Sequence, residues 1–259
     1  MNPSEKFQEE VKANIAGLGE DEALQELSRL WCAEVSRHKY AYNFSWLGRP
    51  AIQFPNDAWA LQEIIWQVRP DLIIEAGIAH GGSLVFSASM LSLLDLTDAI
   101  AAGQTMNPAI SRRKVLGIDI DIRAHNRKAI EAHPMASRIQ MIEGSSIAEK
   151  TIAQVKSVAA NYDRILVCLD SNHTHEHVLA ELHAYAGLTS IGSYCVVLDT
   201  LVDDMPEAMF NDRPWGPGNS PKSAVKQYLK SHPEFEVDAG IHHKLLITVA
   251  PDGYLKRIK

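Results

Sequence analysis

Cysteine is scarce in this chain: Cys32, Cys168 and Cys195 are the three among 259 residues, and none is spaced C-x-x-C. That leaves no disulfide scaffold and no thiolate zinc site, and it fits a reduced, cytoplasmic setting. Cys168 and Cys195 stand inside apolar runs and read as buried strand thiols. The opening residues, Met1–Glu5, carry neither the basic nor the apolar segment of a signal peptide. No uninterrupted apolar run reaches the roughly 18 residues of a membrane span, so no transmembrane segment is expected. Basic residues gather in no stripe or tail and the net charge is −7, which argues against nucleic acid as a partner. Repeats and low-complexity linkers are also missing. The chain is therefore expected to be a single domain over 1–259, with a helical N-terminal extension and lid over 1–58 and a core over 59–259.

What is present is an alternation of strand-like and helix-like runs. Residues 4–39 are helical in pattern and polar, suited to packing on a rim or on another subunit. Residues 40–58 are rich in aromatic and turn residues and read either as a flap over the core or as a lid over a ligand. A helix is expected over 58–68, capped by Asn56 or Asp57. Strands are expected over 71–75, 114–119, 138–143, 163–170 and 192–199, with helices over 83–94, 123–132, 147–160 and 174–188 between them. Residues 95–113 read as a turn-rich insertion and 200–220 as a long loop. A short helix over 221–230 precedes two closing strands, 234–238 and 244–250, expected to be antiparallel. Strands separated by helices of this length predict an α/β fold of Rossmann-like, doubly wound, mostly parallel type.

The central stretch is Asp71–Ser83. It begins as an apolar run of buried-strand character, ends in Glu75, and turns at Gly77, Gly81 and Gly82 into a helix. The pattern is E-x-G-x-x-x-G-G-S rather than G-x-G-x-x-G. An acid ahead of the first glycine would repel a pyrophosphate and suits a cofactor bearing hydroxyls and an ammonium. Later strands also end in acids: Asp119, with Asp121 as the competing candidate; Glu143, followed by Gly144 and Ser145; Asp170; and Asp199. In an open α/β sheet these ends share one crevice. An acid after the second strand is placed to take the hydroxyls of a ribose. Asp170 and Asp199, converging on one point, would repel unless protonated or bridged by a cation, and a hard ion such as Mg²⁺ takes oxygen ligands.

Three histidines cluster in Asp170-Ser-Asn-His173-Thr-His175-Glu-His177. His173, at the strand-to-helix turn, is suited either to general-base work on a hydroxyl or to orienting Asp170. His175 and His177 fall on the helix. Two histidines with a carboxylate also permit a non-haem iron triad of His173, His175 and Asp170.

Taken together, Gly48-Arg-Pro-Ala-Ile-Gln53-Phe54-Pro55, Glu75–Ser83, Asp119-Ile-Asp121 and Leu169–Glu176 resemble the cephalosporin hydroxylase / rhamnosyl O-methyltransferase family over about residues 40–258. That resemblance implies a class I S-adenosylmethionine-dependent methyltransferase, a seven-stranded sheet with a C-terminal antiparallel hairpin, a Mg²⁺ site and a homo-oligomer. By position it gives Glu75, Gly77, His80, Gly82 and Ser83 to the methionine part of the cofactor. Asp119 goes to the ribose, Ser145 or Ser146 lies near the adenine, Asp170 borders both cofactor and metal, and Asp199 joins Asp170 as a metal ligand. The chain departs from an acidic pair at the end of the fifth strand, having Leu198-Asp199, with Asp203 or Asp204 as replacements. The function expected is Mg²⁺-assisted O-methyl transfer to a sugar, glycan or natural-product hydroxyl, with His173 and Asp170 as the catalytic residues. The competing readings are an NAD-dependent oxidoreductase and an iron hydroxylase on the histidine cluster.

Overall fold

Two helices open the chain, α1 (Pro3–Glu20) and α2 (Glu22–Ser36). Asn2 and Glu5 form a reciprocal cap at the first, and Asp21 caps the second. The structure, a computed structural model, describes residues 2–108 and 110–259. The aromatic stretch expected as a flap or lid contains a small antiparallel hairpin, β1 (Phe44–Trp46) and β2 (Arg49–Ala51). The alternating part follows: α3 (Pro55–Val68), β3 (Leu72–Ala76), α4 (Gly82–Ala102), β4 (Lys114–Asp119), α5 (Ala124–Glu131), β5 (Ile139–Glu143), α6 (Glu149–Ala159) and β6 (Ile165–Leu169). It closes with α7 (His175–Tyr185), β7 (Tyr194–Val197), α8 (Pro221–Leu229), β8 (Phe235–Val237), α9 (Ala239–Leu245) and β9 (Tyr254–Arg257).

Among the described residues the large sheet has seven strands in the order β5-β4-β3-β6-β7-β9-β8. Strands β3 to β7 run parallel, and β9 is antiparallel to both β7 and β8. This is the Rossmann-like, doubly wound sheet expected from the sequence. The strand order reverses at β3 and β6, and an open sheet takes its ligand in the crevice beyond that point.

Strand alternation decides which acids can meet there. Ile73 of β3, Val115 of β4, and Leu166 and Cys168 of β6 face the layer that holds α3 and α4. Leu72, Ile74, Leu116, Val167 and Leu169 face the layer that holds α6, α7 and α8. Glu75, Asp119 and Asp170 fall on the first parity, so they share the α4 face at the strands' C-terminal edge. Asp199 has the opposite parity, since Val197 faces the α7 layer. Its left-handed backbone, φ 55°, breaks the alternation there.

Two expectations from the sequence are corrected. Residues 95–102 are not part of an insertion: α4 runs on to Ala102. Asp95 and Asp98, read as turn residues, lie one turn apart on that helix and pair with Arg113 and, through Asp95, with the buried Arg138. By length and composition alone α4 could cross a membrane, yet half of its apolar window is buried in this fold. The second closing strand is β9 at 254–257, not 244–250. Residues 239–245 are helical, and Thr248 and Val249 are held instead by Asp57 in the first turn of α3.

Asp57 is buried and accepts from Thr248 Oγ1, from Val249 N at 3.0 Å and from Tyr254 OH at 2.8 Å. Burial pushes its carboxyl up to about 6, against the pull of these donors. Asp57→Ala strands three buried donors at once. We expect it to cost about 3 kcal/mol or more. A urea titration reads this as a lower midpoint at an unchanged slope.

Candidate active site

The turn after β3 is shaped by contacts that leave no room for side chains. Gly77 sits at φ 99°, and a Cβ there would lie 2.1 Å from the Asp170 carbonyl oxygen. Gly82 is pressed against the hairpin, where a Cβ would lie 2.2 Å from the Pro50 carbonyl oxygen. Arg49 of β2 donates to the His80 carbonyl, and Asn126 of α5 bridges Arg49 to the Ala79 carbonyl. The hairpin is thus tied to the turn by partners 31 and 77 positions from Arg49 in the chain, a tie the sequence pattern does not show.

Glu75 is buried beneath this turn and accepts from Ser83 Oγ. Burial pushes its carboxyl up to about 7, and the Ser83 hydrogen bond opposes that rise. Asp119 Oδ2 accepts from Ile78 N at 2.8 Å and Ala79 N at 3.2 Å, and its Oδ1 from Asp121 N at 3.1 Å. A carboxylate has about four acceptor sites, so Asp119 keeps lone pairs for further donors. Ser146 is buried with its hydroxyl 3.0 Å from His177 Nε2 and 3.5 Å from Ser171 Oγ. Ser145 is half-buried beside it at the end of β5.

Asp170, His173 and Asp199 come together beyond β6 and β7. One ligating atom from each lies within 4.8 Å of the others. His173 Nε2 stands 3.2 Å from Asp199 Oδ2, so the ring is oriented by Asp199 rather than by Asp170. The edge-on ring of Trp215 packs on it at 4.8 Å, and Arg213 lies over that indole. Burial, and then the neighbouring Asp199 and Glu75, hold the Asp170 carboxyl well above the usual range. Like charges held this close favour a proton or a cation between them, and the oxygen-rich donor set suits a hard divalent ion.

The proposed replacements for the missing acidic partner of Asp199 lie elsewhere. Asp203 accepts from Gly218 N and Ser220 Oγ, and Asp204 pairs with Lys222. The iron triad of His173, His175 and Asp170 is corrected. His175 turns away to α8, with Nδ1 2.8 Å from Ser223 Oγ and Nε2 2.9 Å from Gln227 Oε1. A helix start carries alternate side chains in different directions, so sequence neighbours did not become ligand neighbours.

Two cavities meet at Asp170. A small one of about 40 Å³ lies between the glycine turn and residues 50–53, with Gly77, His80, Gly82 and Ser83 in its wall. A larger one of about 530 Å³ is walled by Tyr40, Tyr42, Phe54, His173, Asp199, Met205, Phe210 and Trp215, among others. Asp170, Ile52 and Ala79 line both.

Residues 38–258 match the family described as Rhamnosyl O-methyltransferase/CmcI. The chain belongs to the rhamnosyl O-methyltransferase/CmcI family. It is 31% identical over 231 residues to the rhamnosyl O-methyltransferase of Mycobacterium tuberculosis, spanning 85% of this chain and 83% of that one. The counterpart from Mycobacterium leprae is 30% identical over 230 residues, spanning 85% and 88%. Among solved structures, a CmcI structure with Mg and SAM superposes at TM-score 0.54 and 16% identity, covering 84% of this chain and 78% of that one. The apo structure of a TDP-rhamnose 3′-O-methyltransferase from calicheamicin biosynthesis superposes at TM-score 0.50 and 18% identity, covering 78% of each. At these identities the superpositions show the shared fold. The family sets aside the oxidoreductase reading, in keeping with a buried acid where a pyrophosphate would need donors.

Proposed function

We propose that this chain transfers a methyl group from S-adenosylmethionine to a hydroxyl of a rhamnosyl or related sugar, with a divalent cation at Asp170 and Asp199. The observation that carries the reading is that Asp170 lines both cavities, so a donor held at the glycine turn meets an acceptor held in the larger pocket. Family membership and the rhamnosyl O-methyltransferase relatives support the reaction and the sugar acceptor.

In this reading Glu75 receives the cofactor's ammonium, and Gly77, His80, Gly82 and Ser83 surround its methionine part. Asp119 accepts from the ribose hydroxyls, and Ser145 and Ser146 border the adenine. A cation bound between Asp170 and Asp199 would supply positive charge that lowers the pKa of an acceptor hydroxyl. His173 keeps Nε2–H on Asp199, which leaves the Nδ1 lone pair to take the hydroxyl proton. The freed oxygen attacks the methyl carbon in line, and the carbon–sulfur bond breaks to leave S-adenosylhomocysteine. The walls of the two cavities supply alignment and exclude water. Exposed Trp59 and Trp66, one helical face of α3, favour self-association of the chain.

Incubation with methyl-tritiated S-adenosylmethionine and an alkyl or aryl rhamnoside is expected to label the sugar as a methyl ether. Label appearing on phenols or catechols but on no rhamnoside would defeat the sugar reading.

A further inference from the structure

Between the hairpin and α3, residues Ala51-Ile52-Gln53-Phe54 cross the mouth of the glycine turn. Their path is fixed on one side by Pro50 against Gly82 and by Arg49 on the His80 carbonyl. Beneath them lies the small cavity, with Gly77, His80, Gly82 and Ser83 opposite Gln53. Gln53 is only 9% exposed, it lines that cavity, and its amide has no hydrogen-bond partner among the described residues. The amide opens onto the cavity rather than being sealed in the core, so its donor and acceptor are available to a ligand there.

We propose that Gln53 is a binding residue for the amino-acid end of S-adenosylmethionine, its amide N–H donating to the α-carboxylate while Glu75 takes the α-ammonium. This rests on the cofactor reading above. The division follows from charge. Asp170 lines this cavity and Glu75 stands behind Ser83; both would repel a carboxylate, so the carboxylate must be met by donors. The start of α4 provides backbone N–H groups, since Gly81 offers no side-chain cap. Gln53 provides a donor from the facing wall. Its neighbours Ile52 and Phe54 line the acceptor pocket, so the residue that grips the donor's tail sits on the segment that walls the acceptor.

Calorimetry tests this with two ligands: S-adenosylmethionine, and methylthioadenosine, which keeps the nucleoside and sulfur but lacks the amino-acid end. In Gln53→Ala and in the near-isosteric Gln53→Met, affinity for S-adenosylmethionine is expected to fall about thirtyfold while that for methylthioadenosine holds. Gln53→Glu places a carboxylate opposite a carboxylate and is expected to bind S-adenosylmethionine more weakly than Gln53→Ala. Unchanged affinity for S-adenosylmethionine, equal loss of both ligands in both the Ala and Met variants, or tight binding by Gln53→Glu would each overturn the assignment. A wild-type protein that bound neither ligand would overturn the cofactor reading itself, and Gln53 with it.

Discussion

Asp170→Asn is expected to abolish methyl transfer and, in metal-free protein, to raise the melting temperature. The two effects have one cause. Asp170 is half-buried, faces Asp199 and Glu75, and has its carboxyl held well above the usual range by burial and by those charges. Ionised and without a cation it destabilises the fold; an amide removes that repulsion. The same repulsion is what a divalent ion relieves. Wild-type protein should therefore be stabilised by Mg²⁺ and the variant left unmoved. Transfer should fall by at least about 1,000-fold, the order expected when transition-state charge loses its partner. Asp199→Asn should lower transfer likewise, while its amide oxygen can still accept from His173 Nε2. A variant that melts at the wild-type temperature and still answers to Mg²⁺ would remove Asp170 from the cation site.

The second large effect is a proton. Burial places the Glu75 carboxyl at about 7 instead of the ordinary 4.5. With the folded value raised, the folded state holds this proton more tightly than the unfolded chain does. The contribution of Glu75 to stability is therefore greatest below the ordinary value and falls as the pH climbs through 4.5 to 7. An ammonium arriving beside it favours the ionised form, so cofactor binding near or below neutrality should expel a proton. Calorimetry in two buffers of different ionisation enthalpy should show release approaching one proton per site at pH about 6 and little at pH about 8. Affinity should climb with pH towards about 7 and decline again as the ligand's own amine, whose ordinary value is about 8, loses its proton. In Glu75→Gln the release should vanish and affinity should drop about 100-fold, since a buried ammonium would lose its charged partner. Proton release that persists in Glu75→Gln would place the titrating group elsewhere.

Much of this site could be read from strand parity alone. The apolar runs ending in Glu75, Asp119 and Asp170 place all three acids on one face of a parallel sheet, and that is where they lie. Asp199 obeyed a different rule. Its strand parity points to the other face, and only a left-handed residue at the strand end swings it toward His173. Nothing in the letters marks that turn, because aspartate carries it rather than glycine. The run 244–250 looked like a strand because it is apolar, but Asp57, nearly 200 residues earlier in the chain, claims the Val249 N–H that a ladder would need. Asp95 and Asp98 looked like turn residues because their partners, Arg113 and Arg138, are distant in sequence. Gln53 stood inside the stretch that marks the family, yet an uncharged amide shows a role only when its surroundings are seen to leave it unpaired. The loop over 200–220 reads as closing over an acceptor together with residues 40–55, and its Trp215 does share a cavity wall with Tyr40 and Phe54. Its packing on His173 could not be read from composition.

The most direct measurement is the initial rate of methyl transfer from S-adenosylmethionine to a rhamnoside by protein stripped with EDTA and then titrated with Mg²⁺. A cation shared by Asp170 and Asp199 requires no transfer in the stripped protein and a rate that returns with single-site saturation. A rate indifferent to EDTA and to added Mg²⁺ would contradict it.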